Sequence, residues 1–180
     1  MKKQFLCVVL IVFLLITINQ IQYQKNKDMN RSEVIGKYVI HKTPQIPPHQ
    51  EITTMLVEDG KIFLYFDLDG VVNVYSVDGV FLYGIQVKSS TSGRGDIAYA
   101  DQKLYIFSRE NHIYVFEDQK LIEHVEFAQE KEKYRHFEKL LLTKDDSYIY
   151  GGETYYLLKT VSMVTKVVDG KRVVVIDLQE

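Results

Sequence analysis

Asp67-Leu-Asp-Gly70 opens as a calcium-binding loop does, with two carboxylates close together beside a glycine. An EF-hand loop needs glycine at its sixth position and a bidentate Glu at its twelfth. Counted from Asp67 those positions are Val72 and Asp78, so both requirements fail. The stretch reads instead as a hairpin turn in which Asp and Gly supply the backbone geometry. Arg94-Gly-Asp96 lies in the Ser- and Gly-rich run from Ser89 and reads as a loop between strands, with Asp96 closing the turn into the next strand. His41, His49, His112, His124 and His136 lack the i, i+2 or i, i+4 spacing of paired metal ligands. No serine sits in a G-x-S-x-G elbow, and no phosphate-cradling loop occurs. The single cysteine, Cys7, lies in an apolar N-terminal run. We therefore expect no catalytic residue, no metal site and no cofactor. If a face binds a ligand, the candidates are Arg94, Asp96, Arg109 and His112, because they occupy loops, and loops carry binding more often than strands do.

The elements that must position these residues come from a pattern played twice between Gly60 and Phe127. The first pass reads Lys61-Ile-Phe-Leu-Tyr-Phe-Asp67, Val71-Val-Asn-Val-Tyr-Ser-Val77, a turn at Asp78-Gly79, and Val80 to Val87. The second reads Lys103-Leu-Tyr-Ile-Phe107, His112-Ile-Tyr-Val-Phe116, a polar break, and Leu121 to Phe127. Short runs of Val, Ile, Tyr and Phe broken by Asp-Gly predict β-strands joined by hairpins. The tyrosines would suit a stacking platform for sugar or single-stranded RNA, but at strand spacing they read as core. Ile62 to Phe66 is apolar without a break, as a strand buried on both faces would be, whereas Leu121 to Phe127 mixes in Glu123, His124 and Glu126 as a half-wet outer strand. Ile62 and Leu104 lie 42 residues apart, and Tyr148-Ile-Tyr150 reads as the opening of a third, shorter version interrupted by Gly151-Gly152. A multi-stranded repeat of about 40–45 residues points to blades. Val164 to Leu178 forms a further hairpin about Asp169-Gly170. Phe127, Tyr134, Phe137 and Leu141 are spaced for a short surface helix or a long connecting loop.

Gly93 to Phe116 resembles the NHL-type β-propeller repeat, in its glycine-led start, its Ile97-Ala98 and Asp101, its Tyr105 strand, its Asn111-His112 turn and its Val115-Phe116 ending. Val74 to Leu82 resembles the same family's Asp-Gly corner. Ser108 stands where the family usually has Asp, and the proline before the glycine is absent. The resemblance covers residues 61 to 127 and, loosely, 147 to 178. It implies an interaction platform more often than an enzyme, and fold alone does not decide between them. The expected fold is all-β: a partial, propeller-like array of antiparallel blades over residues 51–180. Closed propellers need about four to eight blades. Two units and a part of a third predict an open array, self-association through its strand edges, or a shortened relic of a longer ring.

At the N-terminus, Lys2 and Lys3 precede twelve apolar residues, Phe5 to Ile16. This is the form of a secretory signal or a signal-anchor helix over residues 1–21, with residues 5–21 as the membrane contact. The run is short for a span, which takes about 17–25 residues, yet no Ala or Gly occurs before Gly36 to mark a cleavage site. We expect a single-pass anchor in the cell membrane with the bulk of the chain extracytoplasmic, and secretion after cleavage as the alternative. Residues 22–50 read as a stalk and Pro-rich linker, with a first strand at Val34 to Ile40. Without Lys2 and Lys3, the 22 basic side chains fall to 20 against 24 acidic ones, which disfavours nucleic acid as a partner. The function expected from sequence is a membrane-anchored module that binds a protein or a surface ligand; the alternatives are a propeller-type hydrolase and a truncated propeller without activity of its own.

Overall fold

A computed structural model describes residues 38–46, 51–141 and 147–179. The apolar N-terminal run lies outside these residues. Among the described residues no helix is long and apolar enough to cross a membrane. The described residues are all-β, with three antiparallel sheets, one short helix and a single 3-10 turn among them.

Sheet A contains β1 (Tyr38–His41), β2 (Thr54–Glu58), β3 (Lys61–Phe66), β4 (Val71–Ser76) and β5 (Phe81–Val87), in the order β1-β5-β4-β3-β2. Sheet B is a meander of β6 (Asp96–Ala100), β7 (Lys103–Phe107), β8 (His112–Glu117) and β9 (Lys120–Glu126). Helix α1 (Lys131–Glu138) follows it. Sheet C is a second plain meander, of β10 (Ser147–Tyr150), β11 (Glu153–Leu158), β12 (Met163–Val168) and β13 (Lys171–Asp177). Asp-Gly sets the tightest turns as its chemistry requires: Asp59 and Gly60 join β2 to β3, and Asp169 and Gly170 join β12 to β13, all four with positive φ.

Sheet A is buried on both sides, which accounts for the unbroken apolar run in β3. Ile62, Leu64 and Phe66 face sheet C, where they pack with Tyr155, Leu157, Val164 and Ile176. Phe63 and Tyr65 face sheet B: the Phe63 ring lies 5.3 Å from that of Tyr99, and the Tyr65 hydroxyl reaches the Phe107 carbonyl at 3.4 Å. Burial of roughly 25 cal/mol for each Å² of apolar surface makes these two faces the main source of cohesion. The far side of sheet B is closed by α1, whose Tyr134 is buried among Tyr105, Phe107, Ile113 and Val125. The layers therefore run sheet C, sheet A, sheet B, helix.

Three expectations are revised. Tyr148 to Tyr150 is the first strand of sheet C, not the counterpart of β3 and β7; that counterpart is β11. Gly151-Gly152 does not interrupt the third unit but forms its first hairpin turn, pairing Tyr150 with Glu153, and both glycines have positive φ. Tyr38–His41 and its neighbours, inside the stretch read as stalk and linker, belong to the fold. β1 pairs with β5, and the buried Asn73 side chain holds Gln45 by donating to its carbonyl at 2.6 Å and accepting from its N–H at 3.2 Å.

A candidate ligand cleft at one end of the three sheets

One edge strand of each sheet gathers, with β2 adjoining both β6 and β10. This brings one end of all three sheets together: the residues leading into β2, the β3–β4 and β7–β8 turns, the β5–β6 loop and the β11–β12 connection. Between them lies a cleft of about 450 Å³ lined by Glu51, Ile52, Thr53, Asp67, Leu68, Gly93, Arg94, Arg109 and Lys159.

The cleft's framework is fixed by backbone. Thr53 N–H and hydroxyl both donate to the Tyr65 carbonyl, at 2.9 and 3.1 Å. Gly70 N–H donates to the Asp67 carbonyl, closing the β3–β4 turn. The β5–β6 loop is pinned at three points: Ser89 hydroxyl donates to the Asp67 carbonyl at 2.9 Å, Lys88 pairs with Glu110 at 2.8 Å, and Arg109 Nη2 donates to the Thr91 carbonyl at 3.3 Å. Gly93 must be glycine, since φ is +86° and a Cβ would lie 2.7 Å from the Arg109 carbonyl.

Arg109 is the most constrained charge of the site. Its side chain is 13% exposed and faces the Asp67 carboxylate, itself 10% exposed, with Nη1 and Oδ1 3.6 Å apart. That separation is an ion pair but too long for a hydrogen bond. Arg109 Nε is enclosed without a partner among the described residues. A guanidinium carries five donors, so this one is sparsely satisfied. The adjacent Ser108 hydroxyl is likewise buried and unpartnered. Beneath them the Tyr65 hydroxyl is held protonated by burial and then by the Asp67 and Asp96 carboxylates.

Of the residues singled out from sequence, Arg94 and Arg109 meet in this cleft. Asp96 does not line it. Its carboxylate accepts from the Thr54 hydroxyl at 2.6 Å and from Ile97 N–H at 3.0 Å. His112 lies in sheet B, stacked on His124 with an Nδ1 to Nε2 distance of 3.0 Å and Glu126 at 3.6 Å. Glu51, Asp67 and Lys159 were not recognised as lining residues. In sequence Asp67 reads as a failed calcium-loop opening and then as a turn residue; its position at the end of an apolar strand, one repeat before Arg109, is the available signal.

Chemically the cleft offers three cationic side chains against two carboxylates, with Ile52 and Leu68 as apolar wall. It suits recognition of an anionic ligand. Among the described residues no group of three His, Cys, Asp or Glu is arranged to hold a metal ion. No protein-family profile matches this chain, and no curated protein is significantly similar to it.

Proposed function

We propose that the chain is a membrane-anchored, extracytoplasmic, propeller-like interaction module that takes a protein or surface ligand at the cleft holding Arg94 and Arg109. The observation that carries this reading is the convergence of those two loop residues, 15 positions apart in sequence, on one cleft at the common end of three sheets. The propeller-like description is supported by the meander β2 to β5 and the two others, and by the gathering of edge strands β2, β6 and β10, as inner strands gather round a propeller axis. The anchor rests on the basic tip and apolar run of residues 1–21.

The test is photo-crosslinking on intact cells from a reactive residue placed at Leu68. A discrete product is expected, diminished by Arg94→Glu and by Arg109→Glu; an unchanged product in both would remove the cleft from the function. Fractionation tests the anchor: the membrane fraction should hold the full 21.0 kDa chain. A soluble product with an N-terminus between residues 20 and 30 would establish cleavage instead.

A second reading is self-association through sheet edges, favoured by β13, an edge strand on which Val173 and Val174 are exposed. Sedimentation at high concentration should then reveal dimers, and a strictly monomeric species would end this reading.

A further inference from the structure

We infer that the cleft recognises a single carboxylate, borne by a small ligand or a chain end with an apolar or C–H body beside it. This rests on the cleft being the binding face and names what binds there.

The argument is one of charge, donors and size. Arg94, Arg109 and Lys159 stand against Glu51 and Asp67, an excess of one positive charge in the lining. A monoanion balances that excess. A phosphate dianion overshoots it and places its second charge against the nearly buried Asp67, where like charges repel more strongly than in open solvent. Donor geometry agrees. Arg94 is exposed, and among the described residues its guanidinium makes no hydrogen bond or ion pair. Arg109 spends one donor on the Thr91 carbonyl and stands 3.6 Å from Asp67, so the Asp67 charge offsets it without occupying its fork. Planar guanidinium donors match the two oxygens of a carboxylate. Ile52 and Leu68 supply the wall for the uncharged remainder, and a volume of about 450 Å³ lies within the range of small-ligand sites.

Asp67 has a defined part in this arrangement. It holds the Arg109 side chain in place and tempers its charge, which sets the cleft's preference for one negative charge over two. Neutralising Asp67 should therefore broaden the cleft towards dianions.

The experiment is calorimetric titration of the full chain in neutral detergent with four probes: D-glucuronate, N-acetyl-Ala-Leu with a free carboxylate, the same dipeptide as its amide, and inorganic phosphate. Both carboxylate-bearing probes identify the class, and their relative strength distinguishes a sugar acid from a peptide end. Carboxylate binding is expected, the amide should be silent, and phosphate should be weaker. Arg94→Met should weaken the carboxylate by roughly tenfold or more, the loss of one charge-assisted contact. Because removing Arg109 strips Asp67 of its partner, Arg109→Lys is the companion variant, retaining charge without the fork; thermal melting confirms that each variant is folded. Asp67→Asn should narrow or reverse the preference for carboxylate over phosphate. No carboxylate binding, or phosphate preferred by the native chain, overturns the inference; the cleft reading survives that result if charge reversal still abolishes crosslinking. Carboxylate binding untouched by Arg94→Met and Arg109→Lys places the ligand elsewhere and overturns both.

Discussion

The Thr54 hydroxyl donates to the Asp96 carboxylate at 2.6 Å, tying edge strand β2 of sheet A to edge strand β6 of sheet B. Asp96 also accepts from its own neighbour's N–H, so one carboxylate starts β6 and docks it. Its role in the structure is architectural, and the arginine two residues earlier lines the cleft.

Thr54→Val keeps the shape of the buried side chain and removes that donor. We expect a loss of about 1.5–3 kcal/mol, as for a hydrogen bond to a charged group. Urea denaturation measures it, and a change under about 0.5 kcal/mol would show that the contact does not hold the sheets together.

Gly79→Ala tests how closely sheet A meets sheet C. Gly79 has φ of +85°, and a Cβ there would run into the Val175 carbonyl oxygen. Gly170 has φ of +73° with nothing within 4 Å, so Gly170→Ala reports backbone strain alone. The control should cost about 1–3 kcal/mol, and Gly79→Ala distinctly more. Equal melting-point shifts in the two variants would show that the turn yields without disturbing β13.

Protonation of His124 should weaken the fold. Burial, and then the facing His112, lower its pKa from the ordinary value, with Glu126 and Glu130 pulling the other way. The Tyr114 ring lies 4.7 Å from it on the same strand pair. The folded pKa being depressed, the unfolded chain binds more protons. Stability is therefore intact above about pH 6.5 and falls as pH drops through the lower folded value. In His124→Phe the slope of stability against pH in this window should shrink; an unchanged slope assigns the effect to other groups.

Ser108→Ala removes a buried hydroxyl that has no partner among the described residues. A buried unsatisfied group costs about 1–3 kcal/mol, so the alanine variant should be at least as stable as the native chain. A clear loss of stability on denaturation would reveal a partner for that oxygen.

Much of the fold was legible because it is local. Strand runs such as Ile62 to Phe66 and turns such as Asp169-Gly170 announce themselves over a few residues, and the repeated meander follows from their spacing. The spacing of Tyr134 and Phe137 fits α1 too, although spacing alone does not separate a helix from a connecting loop. What remained hidden depends on contacts between distant segments. Asp67 and Arg109 meet only because two sheets stack, and nothing within either turn records the other. The third unit was misaligned because α1 and its flanks lengthen the interval before sheet C, so a fixed period fell on β10 instead of β11. Arg94 and Arg109 were named for lying in loops, and the common cleft came from the packing of three sheets.

Because sheet C packs on sheet A and not on sheet B, its predecessor in sequence, assembly cannot simply follow translation. A ribosome delivers about 5–20 residues each second, so sheets A and B are complete while Met55, Val57, Ile62 and Leu64 still await Val164 and Ile176. For those seconds the nascent chain shows a greasy surface to whatever holds it, and a pause or a chaperone between Glu138 and Ser147 would lengthen the wait.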